Sequence, residues 1–217
     1  MLDLQNGFFS NNSKFGRIMT KIDIVVCTNL MFIVFSLPVI TIGASWTALC
    51  YVMMKMLRTD MTEDQIHPWK LFWIGFKTNF KQATIIWIVS LAIIVIGIVD
   101  VRICQQAGGV IGGFRYPIYI IGFLLVSFLL YLFPTMAAFD DTVSNLVRNS
   151  FYFIMHRPWK LLIIAFVLFF PLYHAYTDLF LQPMYAFFYA FFGFGLTALL
   201  TAWLLLTDFK PYLKRLK

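Results

Sequence analysis

The chain has 217 residues, 61% of them hydrophobic and only 12% charged, with a formal net charge of +7. Ordinary soluble domains are near half apolar and a quarter charged, and a core of this size cannot hide so much apolar surface from water. The basic excess does not indicate nucleic acid, because the lysines and arginines lie at the ends of apolar runs along the whole chain.

The first 21 residues are polar, with Asn6, Asn11, Asn12, Lys14, Arg17 and Lys21. They lack the apolar stretch of a cleavable signal peptide. Residues 22–57 form an apolar block, which as one helix would be about 54 Å long. A bilayer core of about 30 Å needs roughly 20 residues. Pro38 interrupts the block and Gly43 follows, one breaking the helical ladder and the other permitting a tight turn. The expectation is a hairpin with arms at 22–38 and 44–57; a single bent helix is the alternative.

Residues 58–64 read as a charged loop. Residues 67–82 mix Trp69, Phe72, Trp73, Phe76 and Phe80 with Lys70, Lys77, Asn79 and Lys81, which predicts a helix lying at the interface. A third span is expected at 83–101, followed by a glycine-rich loop. The fourth is at 116–139, a second amphipathic connector at 141–156, the fifth span at 159–176 and the sixth at 184–206. The fold class is therefore all-α: a polytopic transmembrane bundle of about six helices plus two amphipathic connectors, read as one integral membrane domain. With the hairpin, fifteen lysines and arginines fall on one side and two, Arg102 and Arg115, on the other. The positive-inside rule then puts both termini in the cytoplasm.

No phosphate-binding glycine loop, GxSxG or HExxH is present. Cys27, Cys50 and Cys104 are scattered and form no metal or disulfide pattern. No cofactor, metal or enzymatic activity is expected. Polar groups at membrane depth are costly and become the candidates. Asp23 opens the first arm, where the helix dipole favours a carboxylate. Asn29 lies deeper and suits a bond to a neighbouring helix. The Pro38–Gly43 break, which includes Thr41, frees backbone carbonyls as broken transporter helices do, or is a plain turn. His174 and Asp178 share a helix face, and Asp140-Asp141 are placed to cap the second connector.

The run from Gly7 to Arg58, with Asn29, Leu37-Pro38 and Thr41-Ile42-Gly43-Ala44 at its core, resembles the N-terminal signature of the YesL family of bacterial membrane proteins. GFKTNFKQAT, which contains Asn79, resembles that family's second recognisable stretch, and NLVRNSFYF is a weaker anchor. The resemblance covers residues 7–102 specifically. It implies a bacterial cytoplasmic-membrane protein in a family of unknown function, whose genes often lie beside carbohydrate importers of the ATP-binding-cassette (ABC) class. The expected partners are the lipid bilayer and importer subunits, with Trp73 or Phe76 as docking anchors. No importer-type coupling loop is recognisable, so the role would be auxiliary. An independent transporter or channel is the alternative, and a membrane enzyme ranks last.

Overall fold

The computed structural model describes residues 14–58, 67–177, 180 and 182–213. Among them there are helices and turns and no strand. The helices are α1 (Lys14–Ser36), α2 (Ile42–Arg58), α3 (Pro68–Ala107), α4 (Gly109–Gly113), α5 (Arg115–Ala138), α6 (Val143–His156), α7 (Pro158–Thr177), α8 (Gln182–Phe188) and α9 (Phe194–Leu213). A 3-10 turn, Val39–Thr41, joins α1 to α2, and a π-turn, Tyr189–Gly193, joins α8 to α9. Among the described residues five stretches are long and apolar enough to cross a membrane; α6 and α7, bent by 98° at Arg157, make a sixth if counted as one span.

The hairpin follows from Leu37-Pro38. The residue before proline avoids helical angles, and Pro38 is extended, with ψ 109°. The chain then folds back, so that the rings of Phe32 and Trp46 lie 5.8 Å apart. Fourteen residues of straight helix would separate them by about 21 Å. The first arm starts earlier than expected, at Lys14. The break is also shorter, ending at Thr41, and Gly43 is buried inside α2. A Cβ on Gly43 would meet the Trp87 Cβ at 2.7 Å and the Ala83 carbonyl at 3.0 Å. Its glycine permits a close helix crossing, not a turn.

The largest departure is α3. The expected interfacial helix at 67–82 and the span at 83–101 are one continuous helix of 40 residues. Nothing at Gln82-Ala83 can stop it, since neither is a proline, a glycine or a cap. At about 1.5 Å per residue it reaches about 60 Å, twice a bilayer core. Its two halves have different partners. The first runs antiparallel to α2, with Gly75 against Tyr51 and Ala83 against Gly43. The second runs antiparallel to α5, with Trp87 near Phe133 and Gly97 facing Ile118. The helix ends at Gly108, whose φ of +63° suits glycine. The expected glycine-rich loop is short, because Gly109–Gly113 form the single turn of α4.

The core gathers where α2 is enclosed: twelve of its seventeen residues are buried. Phe139, Phe153 and Phe209 close the far end of the bundle, their rings 4.9–6.4 Å apart. Beyond Ala83, by contrast, α3 buries only Ser90 and Cys104 and displays isoleucine and valine.

Candidate functional site

Two buried polar contacts hold α9, and both are built from single side chains on distant helices. The first is Asn29. It sits two turns before the end of α1 and is fully buried. Its side-chain amide donates to the carbonyls of Tyr189 at 3.0 Å and Ala190 at 2.7 Å, and its amide oxygen accepts from the Gly195 N–H at 2.8 Å. A π-turn displaces the usual i to i+4 pairing and leaves backbone groups needing partners. One asparagine supplies a donor and an acceptor at that place. The approach is close: a Cβ on Gly195 would lie 2.9 Å from Val25 Cγ1.

The second contact lies at the other end of α9. The Lys160 side chain, in the first turn of α7, is only 3% exposed. Its ammonium donates to the Leu204 carbonyl at 2.7 Å, to the Thr207 hydroxyl, and to Asp208 Oδ2 at 2.7 Å. All three donors of the lysine are used. Arg157 reaches the other oxygen of Asp208 at 3.2 Å from a half-exposed position. The carboxylate thus joins both sides of the α6–α7 bend to α9. Tyr131 of α5 lies within electrostatic reach of Asp208, and its buried hydroxyl has no hydrogen-bond partner.

Beside the Asn29 contact is a cavity of about 260 Å³ with apolar walls, which include Phe32, Gly43, Trp46, Trp87, Phe133 and Phe194. It sits where the hairpin, α3, α5, α7 and α9 meet.

The other expected candidates scatter. Asp23 is exposed on α1 and takes no part in the Asn29 network. Pro38 is exposed at the break. The carbonyls freed there are taken up locally: the Thr41 hydroxyl shares its one hydrogen between the Phe35 carbonyl at 2.6 Å and the Pro38 carbonyl at 2.7 Å, and the Trp87 indole donates to Val39 at 2.7 Å. Asn79 donates to the Gly75 carbonyl of its own helix. Trp73 is about half exposed, whereas Phe76 is buried and packs on Phe35 at 5.1 Å. Phe76 is therefore part of the core and is not available as a surface anchor. His174 packs on the Phe170 ring, and Asp178 lies outside the described residues. Thr142, not Asp140 or Asp141, takes the cap position of α6. Asp141 instead accepts from the Asn145 side chain and the Thr142 N–H, which hold its carboxyl below the usual carboxylate range. Among the described residues no group of three or more His, Cys, Asp or Glu is placed to hold a metal ion.

Sequence reasoning did not single out Lys160, Asp208, Tyr131 or the π-turn. Lys160 and Asp208 stand at the edges of apolar runs, where charges ordinarily face water or headgroups. Their spacing of 48 residues carries no local signal.

Residues 25–101 match the family described as "Protein of unknown function, DUF624". The chain is also similar to "Uncharacterized protein YteU" of Bacillus subtilis (strain 168), at 32% identity over 116 residues. That match takes in 52% of this chain and spans about half of the relative, 51% of its length. No solved structure matches. The family match runs from Val25 to Val101 and so includes Asn29, the break and most of α3, but neither Lys160 nor Asp208.

Proposed function

We propose that this chain is a non-enzymatic protein of the bacterial cytoplasmic membrane that serves as an auxiliary component of carbohydrate import by an ABC-class importer. In this reading it is a YesL-type protein with both termini cytoplasmic. The observation that carries the docking role is the first half of α3. If residues 83–101 occupy the bilayer, residues 68–82 extend about 22 Å beyond it on the cytoplasmic side, and α2, which runs along them, lies there too. That projection exposes Trp69, Trp73 and Phe80 beside the exposed lysines Lys70, Lys77 and Lys81. It is stiffened from behind by Phe72 and Phe76, which pack on Phe35. A rigid aromatic stripe with a basic border suits a protein partner, since a few aromatic anchors dominate most interfaces. The importer as partner follows from the family resemblance and the gene neighbourhood it implies. The non-enzymatic reading is supported by how Asn29, Lys160 and Asp208 are used, each bonded within the protein.

The test is copurification from mild detergent. Importer subunits should accompany the unmutated chain and be lost on Trp73→Ala without loss of membrane insertion. Phe76→Ala should instead lower thermal stability. Failure of any importer subunit to copurify with the unmutated chain rejects the accessory role.

A second reading, an independent small-solute transporter, is favoured by the π-turn clamped by Asn29, because broken helices line transport sites. Solute uptake by proteoliposomes holding this chain alone would select it.

A further inference from the structure

The groove between α3 and α5 has features that the docking role does not use. It encloses about 570 Å³, within the size range of ligand pockets. Its walls are apolar, formed by Ile93, Ile96, Ile118, Ile121 and Leu125. A Cβ on Gly97 would lie 3.6 Å from Ile118 Cγ2, but nothing lies within 4 Å of where a Cβ on Gly122 would be. The groove is therefore a notch opened by an absent side chain, not a uniform seam.

One end is polar. Asp100, Arg102, Gln105 and Tyr119 line it, and the Gln105 amide donates to the Tyr119 hydroxyl at 3.4 Å. Asp100 and Arg102 are both exposed, and neither has an ion-pair partner among the described residues. The mouth thus offers one free cation and one free carboxylate. Their level on α3 is also informative. Lys81 and Arg102 are 21 residues apart, which is about 31 Å along the helix and close to the thickness of a bilayer core. Arg102 then stands at headgroup depth when Lys81 stands at the opposite surface, with the apolar notch at acyl-chain depth between them.

We propose that this groove is a binding site for one phospholipid with a phosphoethanolamine headgroup. An acyl chain lies along the isoleucine walls over Gly122. The phosphate meets Arg102 and the primary ammonium meets Asp100. A glycerol headgroup leaves Asp100 opposed to an anion, and a choline headgroup has no N–H to donate to it. The inference rests on the membrane placement of the proposed function but not on any importer.

The test is native mass spectrometry of the full chain after reconstitution into bilayers of equal phosphatidylethanolamine, phosphatidylglycerol and phosphatidylcholine. One phosphatidylethanolamine per chain should survive, in about tenfold or greater excess over the other two lipids. Gly122→Leu fills the notch, places its Cβ where nothing lies within 4 Å, and should reduce retention about tenfold without lowering the melting temperature. Asp100→Asn should bring the three lipids towards parity, and Arg102→Gln should abolish retention. Equal retention of all three by the unmutated chain, or undiminished retention by Gly122→Leu, overturns the proposal. A chain extracted by alkaline carbonate overturns the membrane placement and the lipid site with it.

Discussion

At its start α9 is held by a neutral amide reading backbone groups, and towards its end by a lysine buried against a carboxylate. Asn29 meets three main-chain atoms around a π-turn; Lys160 meets one carbonyl, one hydroxyl and one carboxylate. The two contacts differ in what their loss exposes. Removing the amide leaves dipoles without partners. Removing one ion leaves a charge without a counterion in a low-dielectric setting, which is far more costly. The comparison indicates that the hairpin end of the bundle is secured by geometry and the α6–α7 end by charge.

The largest expected effect follows from breaking the charged contact on one side only. Asp208→Leu strands the buried Lys160 and should lower stability in detergent by about 3–5 kcal/mol. The double variant Lys160→Met/Asp208→Leu should recover most of that loss, as replacing a buried pair by apolar groups often does. No recovery in that double-mutant cycle would show that Asp208 acts through something other than Lys160. Arg157→Gln should cost much less, because its guanidinium is half exposed and screened.

Next comes the neutral contact. Asn29→Leu removes the side-chain partner of two carbonyls and one N–H of the π-turn region and should cost about 1–3 kcal/mol. The loss should appear locally, as faster hydrogen exchange at Gly195. Exchange unchanged there would mean that the π-turn holds itself.

Gly43→Ala probes the close crossing of α2 and α3. The added methyl would press on the Trp87 Cβ and the Ala83 carbonyl, costing about 1–3 kcal/mol in melting experiments. Gly122→Ala, in open space, should be near neutral. Equal melting of the two variants would contradict the close crossing of α2 and α3.

The smallest effect concerns a carboxylate in solvent. Asp141 has its pKa lowered in the folded protein by Asn145 and the Thr142 N–H. Its contribution to α6 is therefore full above the ordinary carboxylate range and is lost as pH falls through the depressed value. Asp141→Asn should flatten that acid-side slope slightly, while leaving the contact of Lys160 with Asp208 intact.

The helical hairpin was legible because Leu37-Pro38 constrains the backbone locally, and the apolar runs were legible because bilayer thickness sets their length. Asn29 was legible because an amide inside an apolar run needs a partner, although nothing in the sequence identified that partner as a π-turn 160 residues away. The continuity of α3 was obscured by its change of face. Lysines and aromatics over 67–82 look interfacial, yet Phe72 and Phe76 are drawn into the core by Phe35, which only the folded hairpin brings there. Lys160 was read as an orientation charge. Its burial depends on the α6–α7 bend and on a carboxylate 48 residues on. Excluding it from the charge count leaves fourteen basic residues against two, so the topology inferred from charge is unaffected.

Thiol labelling in intact cells reads that topology residue by residue. Cys104 is a poor reporter because it is buried, but Val110 is highly exposed beside the α3–α5 connection, and Lys210 is exposed near the end of α9. In a chain with Cys27, Cys50 and Cys104 replaced by alanine, Val110→Cys should react with a membrane-impermeant maleimide in intact cells. Lys210→Cys should react only after permeabilisation. Reaction of both from the same side, or of Lys210→Cys alone from outside, would contradict the account.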